Sequence, residues 1–99
     1  MILDKEIQKK IENELKDYPI KKDKHKESDP WIKVIDKVVE RFKGEIQGEL
    51  IEYNYFEDYK LNKQIALLAI ERTCYYEKRQ DILYYAAFVA QKEGLIEVV

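Results

Sequence analysis

The sequence predicts a small all-α domain of about five helices. Three observations carry that prediction. The 99 residues include only three Gly and two Pro, the residues that most disfavour a helix interior. Apolar side chains recur at three- and four-residue spacing, the period of one helix face. No stretch alternates cleanly between apolar and polar residues, as a half-buried strand does. Hydrophobic residues make up 45% of the chain and charged residues 38%. That is enough for one modest core and too apolar for wholesale disorder.

A first helix is expected over residues 2–17, within an N-terminal segment 1–18. Leu3, Ile7, Ile11 and Leu15 recur every fourth residue, and Asp4 is a candidate cap. Tyr18-Pro19 should end it, because the residue before a proline avoids the helical region. Residues 20–28, IKKDKHKES, are densely charged and aperiodic. They read as a solvated loop spanning 19–29. Asp29 then suits an N-cap and Pro30 the first helical position, where no N–H is needed. Trp31, Ile35, Val38, Val39 and Phe42 form the stripe of this second helix, and Gly44 is its stop.

A third helix is expected from Glu45 to Glu57, with Ile46, Leu50, Tyr53 and Phe56 on one face. Gly48 inside it costs roughly 1 kcal/mol relative to Ala, so the second and third helices could also merge into one kinked rod. These central helices fill residues 30–57. A break at Glu57-Asp58-Tyr59 leads to a short fourth helix, residues 61–69. A tight turn at Ile70-Glu71 leads to a long fifth helix, from about Arg72 to Lys92. Gly94 closes it, and Leu95-Ile96 should fold back on the core. Residues 58–93 therefore read as a helix-turn-helix with a long second helix.

Composition narrows the function classes. The longest fully apolar run, Ile65 to Ile70, is far shorter than a membrane span. The N-terminus, MILDKEIQKK, has no apolar signal core, so a cytoplasmic protein with no membrane partner is expected. Cys74 is the one cysteine and offers neither an internal disulfide nor a metal cluster. There is no Ser-His-Asp set, glycine-rich phosphate loop or metal-ligand spacing. No enzyme, cofactor, metal or small-molecule substrate is expected. The net charge of −2 is unevenly spread: 12 basic against 10 acidic side chains in residues 1–43, and 6 against 10 in residues 44–99.

The order of motifs carries a resemblance. Residues 50–83, LIEYNYFEDYKLNKQIALLAIERTCYYEKRQDIL, are similar to the helix-turn-helix that ends sigma factors. They are closer still to the RinA and ArpU-like phage regulators of late transcription. Ile70, Arg72, Tyr75, Tyr76, Arg79, Asp81, Ile82 and Leu83 fall in register with the RinA-type recognition helix. The tail YYAAFVAQKEGLI resembles that family's Ala-rich ending. Residues 10–18, KIENELKDY, resemble its opening helix. Four positions depart from the pattern: Gln64 stands where an apolar residue is expected, Ala69 for a turn Gly, Cys74 for Thr and Glu77 for Arg.

The resemblance implies a phage or prophage DNA-binding transcription regulator, an activator of late genes, with double-stranded DNA as its partner. In such a fold the recognition helix lies in the major groove and the preceding helix crosses the backbone. Helical spacing assigns Tyr75, Ile82, Ala86 and Val89, with Leu83 beside them, to the core. Arg72, Thr73, Tyr76, Glu77 and Gln80 fall on the opposite face. Arg72 could reach guanine or phosphate, Gln80 adenine, and Thr73 phosphate or a thymine methyl. Lys78 and Arg79, at the edge of the core track, could snorkel to phosphate. Lys60 and Lys63 are candidate backbone contacts.

Plainer readings stand beside these. Exposed Arg, Thr and Gln commonly form a solvated face. Tyr53, Tyr55, Tyr59, Tyr75, Tyr76, Tyr84 and Tyr85 read mainly as core and rim packing, with any exposed ones available to a dimer seam. Cys74 reads as a small packing residue and His25 as a solvated side chain. The KKDKHK run serves solubility or an RNA-polymerase docking arm. The acidic C-terminal half and Glu77 favour an alternative: a protein-interaction module gripping RNA polymerase, a repressor or a packaging partner. A DNA-packaging adaptor is a third reading. A homodimer is open, since the first helix could pack on the body or on a partner.

Overall fold

A computed structural model describes residues 3–24 and 28–97. Among them are α1 (Lys5–Asp23), α2 (Pro30–Arg41), α3 (Ile46–Leu50) continuing as a π-helical segment (Ile51–Phe56), α4 (Leu61–Leu68) and α5 (Arg72–Lys92). No described residue lies in a strand, so the chain is all-α, as its sequence predicts. None of its described helices is long and apolar enough to cross a membrane.

Local chemistry accounts for most helix ends. The Asp4 carboxylate accepts the Glu6 N–H at 2.7 Å, and the Asp29 carboxylate accepts the Trp31 N–H at 2.9 Å. Each satisfies a donor that the first helical turn leaves unpaired. Pro30 opens α2. Gly44 and Gly94 adopt φ of +81° and +74°, the left-handed conformation that costs glycine little. Beyond Gly94 the Leu95 N–H returns to the Ala90 carbonyl at 2.9 Å. Leu95 and Ile96 then fold back on the core.

The expected end of α1 at Tyr18-Pro19 is corrected by the structure. The helix runs through Pro19 to Asp23, so residues 20–23 form its last turn and not the start of a loop. An interior proline costs about 3 kcal/mol, and contacts with distant elements offset it. The Tyr18 ring stacks on Phe56 at 5.7 Å, and its hydroxyl donates to the Asp36 carboxylate. Burial, and then that hydrogen bond, raises the Tyr18 pKa, so the hydroxyl stays protonated. Lys21 reaches Glu14 at 2.6 Å and Asp29 at 2.7 Å, and Lys22 reaches Asp36 at 3.0 Å. The turn after Pro19 is thus tied to α2. His25 lies outside the described residues.

The third helix is also corrected. Only Ile46–Leu50 is α-helical; Ile51–Phe56 winds as a π-helix. The Glu57 N–H bonds the Glu52 carbonyl, five residues back, at 2.8 Å. The wider turn shifts the inward face. Leu50, Ile51 and Tyr55 are buried, whereas Ile46, expected on the core face, is 37% exposed. Gly48 is not merely a weak helix residue, since a Cβ there would stand 2.4 Å from the Phe42 carbonyl oxygen.

The core gathers Ile11 and Leu15 from α1, Val34, Ile35 and Val38 from α2, and Leu50, Ile51 and Tyr55. From α5 it takes the expected Tyr75, Ile82, Leu83, Ala86 and Val89, together with Ala87 and Ala90. The small alanines on this face let α1, α2 and α3 close on α5.

Between α4 and α5 the chain turns at Ala69, whose φ of 55° and ψ of 43° are left-handed. A non-glycine residue there costs about 1–2 kcal/mol. Ala69 is exposed, so no packing opposes a change. Ala69→Gly is expected to raise stability by about 1 kcal/mol after glycine's entropy cost is subtracted. Thermal unfolding checks this: a lower melting temperature would contradict it.

Candidate nucleic-acid interface

The site begins with how α4 and α5 are joined. Gln64, on α4, is 1% exposed at a position where spacing calls for an apolar side chain. Its Nε2 donates to Asn54 Oδ1 at 3.0 Å and to the Tyr59 carbonyl at 2.7 Å. Its Oε1 accepts the Tyr75 hydroxyl at 2.8 Å. One amide therefore ties α4 to the π segment, to the break before α4 and to α5. Burial raises the Tyr75 pKa, which keeps the hydroxyl a donor at neutral pH. Among the described residues, no buried side-chain nitrogen or oxygen lacks a partner.

A second contact aligns the first turns of the two helices. Arg72 Nη2 donates to Asn62 Oδ1 at 3.3 Å. Lys60 and Lys63 flank Asn62 in sequence and are exposed. Lys63 Nζ lies 3.8 Å from the centre of the Tyr59 ring. Three cations thus belong to the turns that start α4 and α5.

The predicted residues divide into two groups. Arg72, Thr73, Tyr76 and Glu77 are exposed, while Lys78, Arg79 and Gln80 are half-buried. Thr73, Tyr76, Glu77, Gln80 and Asp81 line one shallow depression on α5. Arg79 departs from its expected outward reach. Its Nε pairs with Glu12 of α1 at 3.4 Å, and its guanidinium lies 5.8 Å from the Tyr76 ring centre. Glu12 also accepts the Tyr55 hydroxyl at 3.2 Å. Burial first, and then the charge of Glu12, raises the Tyr55 pKa. The anions Glu77 and Asp81 stay on the open face, where Asp81 accepts Gln47 Nε2 at 3.1 Å.

The tyrosines divide as packing demands. Tyr55 and Tyr75 are buried, Tyr53, Tyr59 and Tyr85 half-buried, and Tyr76 and Tyr84 exposed. Cys74 is half-buried and unbridged. Sequence reasoning did not single out Asn62, Glu12 or Tyr55 for these contacts. A polar residue at an apolar register position marked Gln64, whereas no spacing links Glu12 to Arg79, 67 positions along the chain.

An exposed helix face with Arg, Thr, Tyr and Gln offers donors to base edges and phosphates. The nearby lysines can neutralise backbone charge. No protein-family model, curated protein or solved structure matches the chain.

Proposed function

We propose that this chain is a phage or prophage transcription regulator that activates late genes, with α4 and α5 acting as a sigma-like helix-turn-helix on double-stranded DNA. The observation that carries this reading is the alignment of the two helix starts. Arg72 and Asn62 are in contact, so Lys60 and Lys63 flank the backbone while Arg72 and Thr73 lead α5 toward the groove. The resemblance to RinA and ArpU-like regulators points the same way. Arg72→Glu should weaken binding to promoter DNA at least about tenfold and flatten its salt dependence. A gel-shift titration at low and rising salt measures both. Folded protein that binds no duplex at low salt would overturn the reading.

A second reading is favoured by the partnering of Arg79 with Glu12 and by Glu77 and Asp81 on the open face. It is a protein-interaction module that grips RNA polymerase or another phage protein without strong DNA contact. Under that reading Arg72→Glu leaves activity nearly unchanged.

A further inference from the structure

One ridge of α5 is left uncovered by the rest of the fold. Tyr76, Gln80, Tyr84, Phe88 and Lys92 follow at four-residue spacing, which makes them neighbours along the helix surface. Tyr76 is 43% exposed, Tyr84 38% and Phe88 46%. Each aromatic ring carries about 150–250 Å² that water would release on burial. Three such rings on one helix form an unusually apolar surface for a chain with 38% charged residues.

The ridge matches its own reverse. In an antiparallel pair centred on Tyr84, Tyr84 meets Tyr84 of the second copy, Gln80 meets Phe88 and Tyr76 meets Lys92. Every contact then occurs twice, as a two-fold interface requires. Charge agrees with this register. Lys92 lies 4.7 Å from its own Phe88 ring centre, and the pairing brings it beside Tyr76 and Glu77 of the second copy. It gains a cation–π partner and a carboxylate at once.

We propose that this ridge is the seam of a homodimer, with two copies of α5 packed antiparallel across Tyr84. The seam stands on the exposed ridge and its charges alone. Its purpose rests on the DNA-binding reading. Arg72 precedes Tyr84 by twelve residues, about 18 Å of helix. The two Arg72 side chains then start about 36 Å apart, close to one turn of B-DNA, about 34–36 Å. Gln80 belongs to the seam, while Arg72, Thr73, Lys60 and Lys63 stay clear of it.

Sedimentation equilibrium at micromolar to sub-millimolar concentration tests the seam. The wild-type chain should be a dimer. Tyr84→Glu and Phe88→Glu should give monomers with unchanged helical circular dichroism, because both side chains are exposed. Lys92→Glu should raise the dissociation constant about tenfold, and Glu77→Lys combined with Lys92→Glu should restore it. A monomeric wild type, or a dimer that Phe88→Glu leaves intact, overturns the proposal. So does a monomeric chain whose ridge variants lose binding to a different protein. A gel shift with two half-sites one turn apart separates the two readings. A dimer that binds no duplex leaves the seam standing and removes the DNA reading. Duplex binding by a chain that stays monomeric removes the seam and leaves the DNA reading standing.

Discussion

Gly48→Ala should lower the unfolding free energy by about 3 kcal/mol, although alanine is the better helix former. The propensity gain is roughly 1 kcal/mol. Against it, a Cβ would stand 2.4 Å from the Phe42 carbonyl oxygen and 3.2 Å from its carbon. These are backbone atoms, so no rotamer change relieves the clash. The same carbonyl accepts the Glu45 N–H at 3.0 Å, and backing away would strain the bond that shapes the α2–α3 turn. Overpacking of one methyl ordinarily costs about 1–3 kcal/mol; here the rigid partner pushes it to about 4 kcal/mol, and the clash wins. Urea unfolding of the two proteins measures the difference. A variant as stable as the wild type would mean that the turn shifts freely and that Gly48 serves no close approach.

Gln64→Leu should cost about 3 kcal/mol, even though it makes the short helix more apolar and better matched to its register. Leucine recovers transfer energy but leaves the Tyr75 hydroxyl, Asn54 Oδ1 and the Tyr59 carbonyl without the partner they have now. A buried polar group left unpaired costs about 1–3 kcal/mol. The Tyr75 end of this network is buried throughout, which excludes water as a substitute. Adding Tyr75→Phe should return about 1 kcal/mol, because it removes one of the orphaned groups. Denaturant midpoints for the two single variants and the pair form the cycle. Strict additivity of the two losses would show that Gln64 and Tyr75 are not coupled.

Part of the site was visible in the spacing of α5 and part was not. Tyr75, Ile82, Leu83, Ala86 and Val89 were assigned to the core and are buried there. The same spacing sets Arg72, Thr73, Tyr76 and Glu77 outward, where they are exposed. Both follow from one helix period, which needs no knowledge of neighbouring elements. Arg79 defeats that logic because it sits at the edge of the buried track. Its direction is decided by what stands beside α5, and that is Glu12 on the first helix. Gln64 marked itself as an anomaly in sequence, but its three partners come from residues five to eleven positions away on other elements.

What the sequence by itself determined is the helical class, most helix ends and the buried face of α5. Asp4, Asp29, Pro30, Gly44 and Gly94 act within a few residues of themselves, through caps and left-handed turns. Only the tertiary structure decided the passage of α1 through Pro19, the π register of Ile51–Phe56, the need for Gly48 and the partner of Arg79. Each depends on a contact with a separate element: Phe56 and Asp36 for the end of α1, the core facing Ile51 and Tyr55, the Phe42 carbonyl and Glu12. Local preferences of about 1–3 kcal/mol yield where packing and hydrogen bonds between distant residues exceed them, and neither composition nor period records which distant residues will meet.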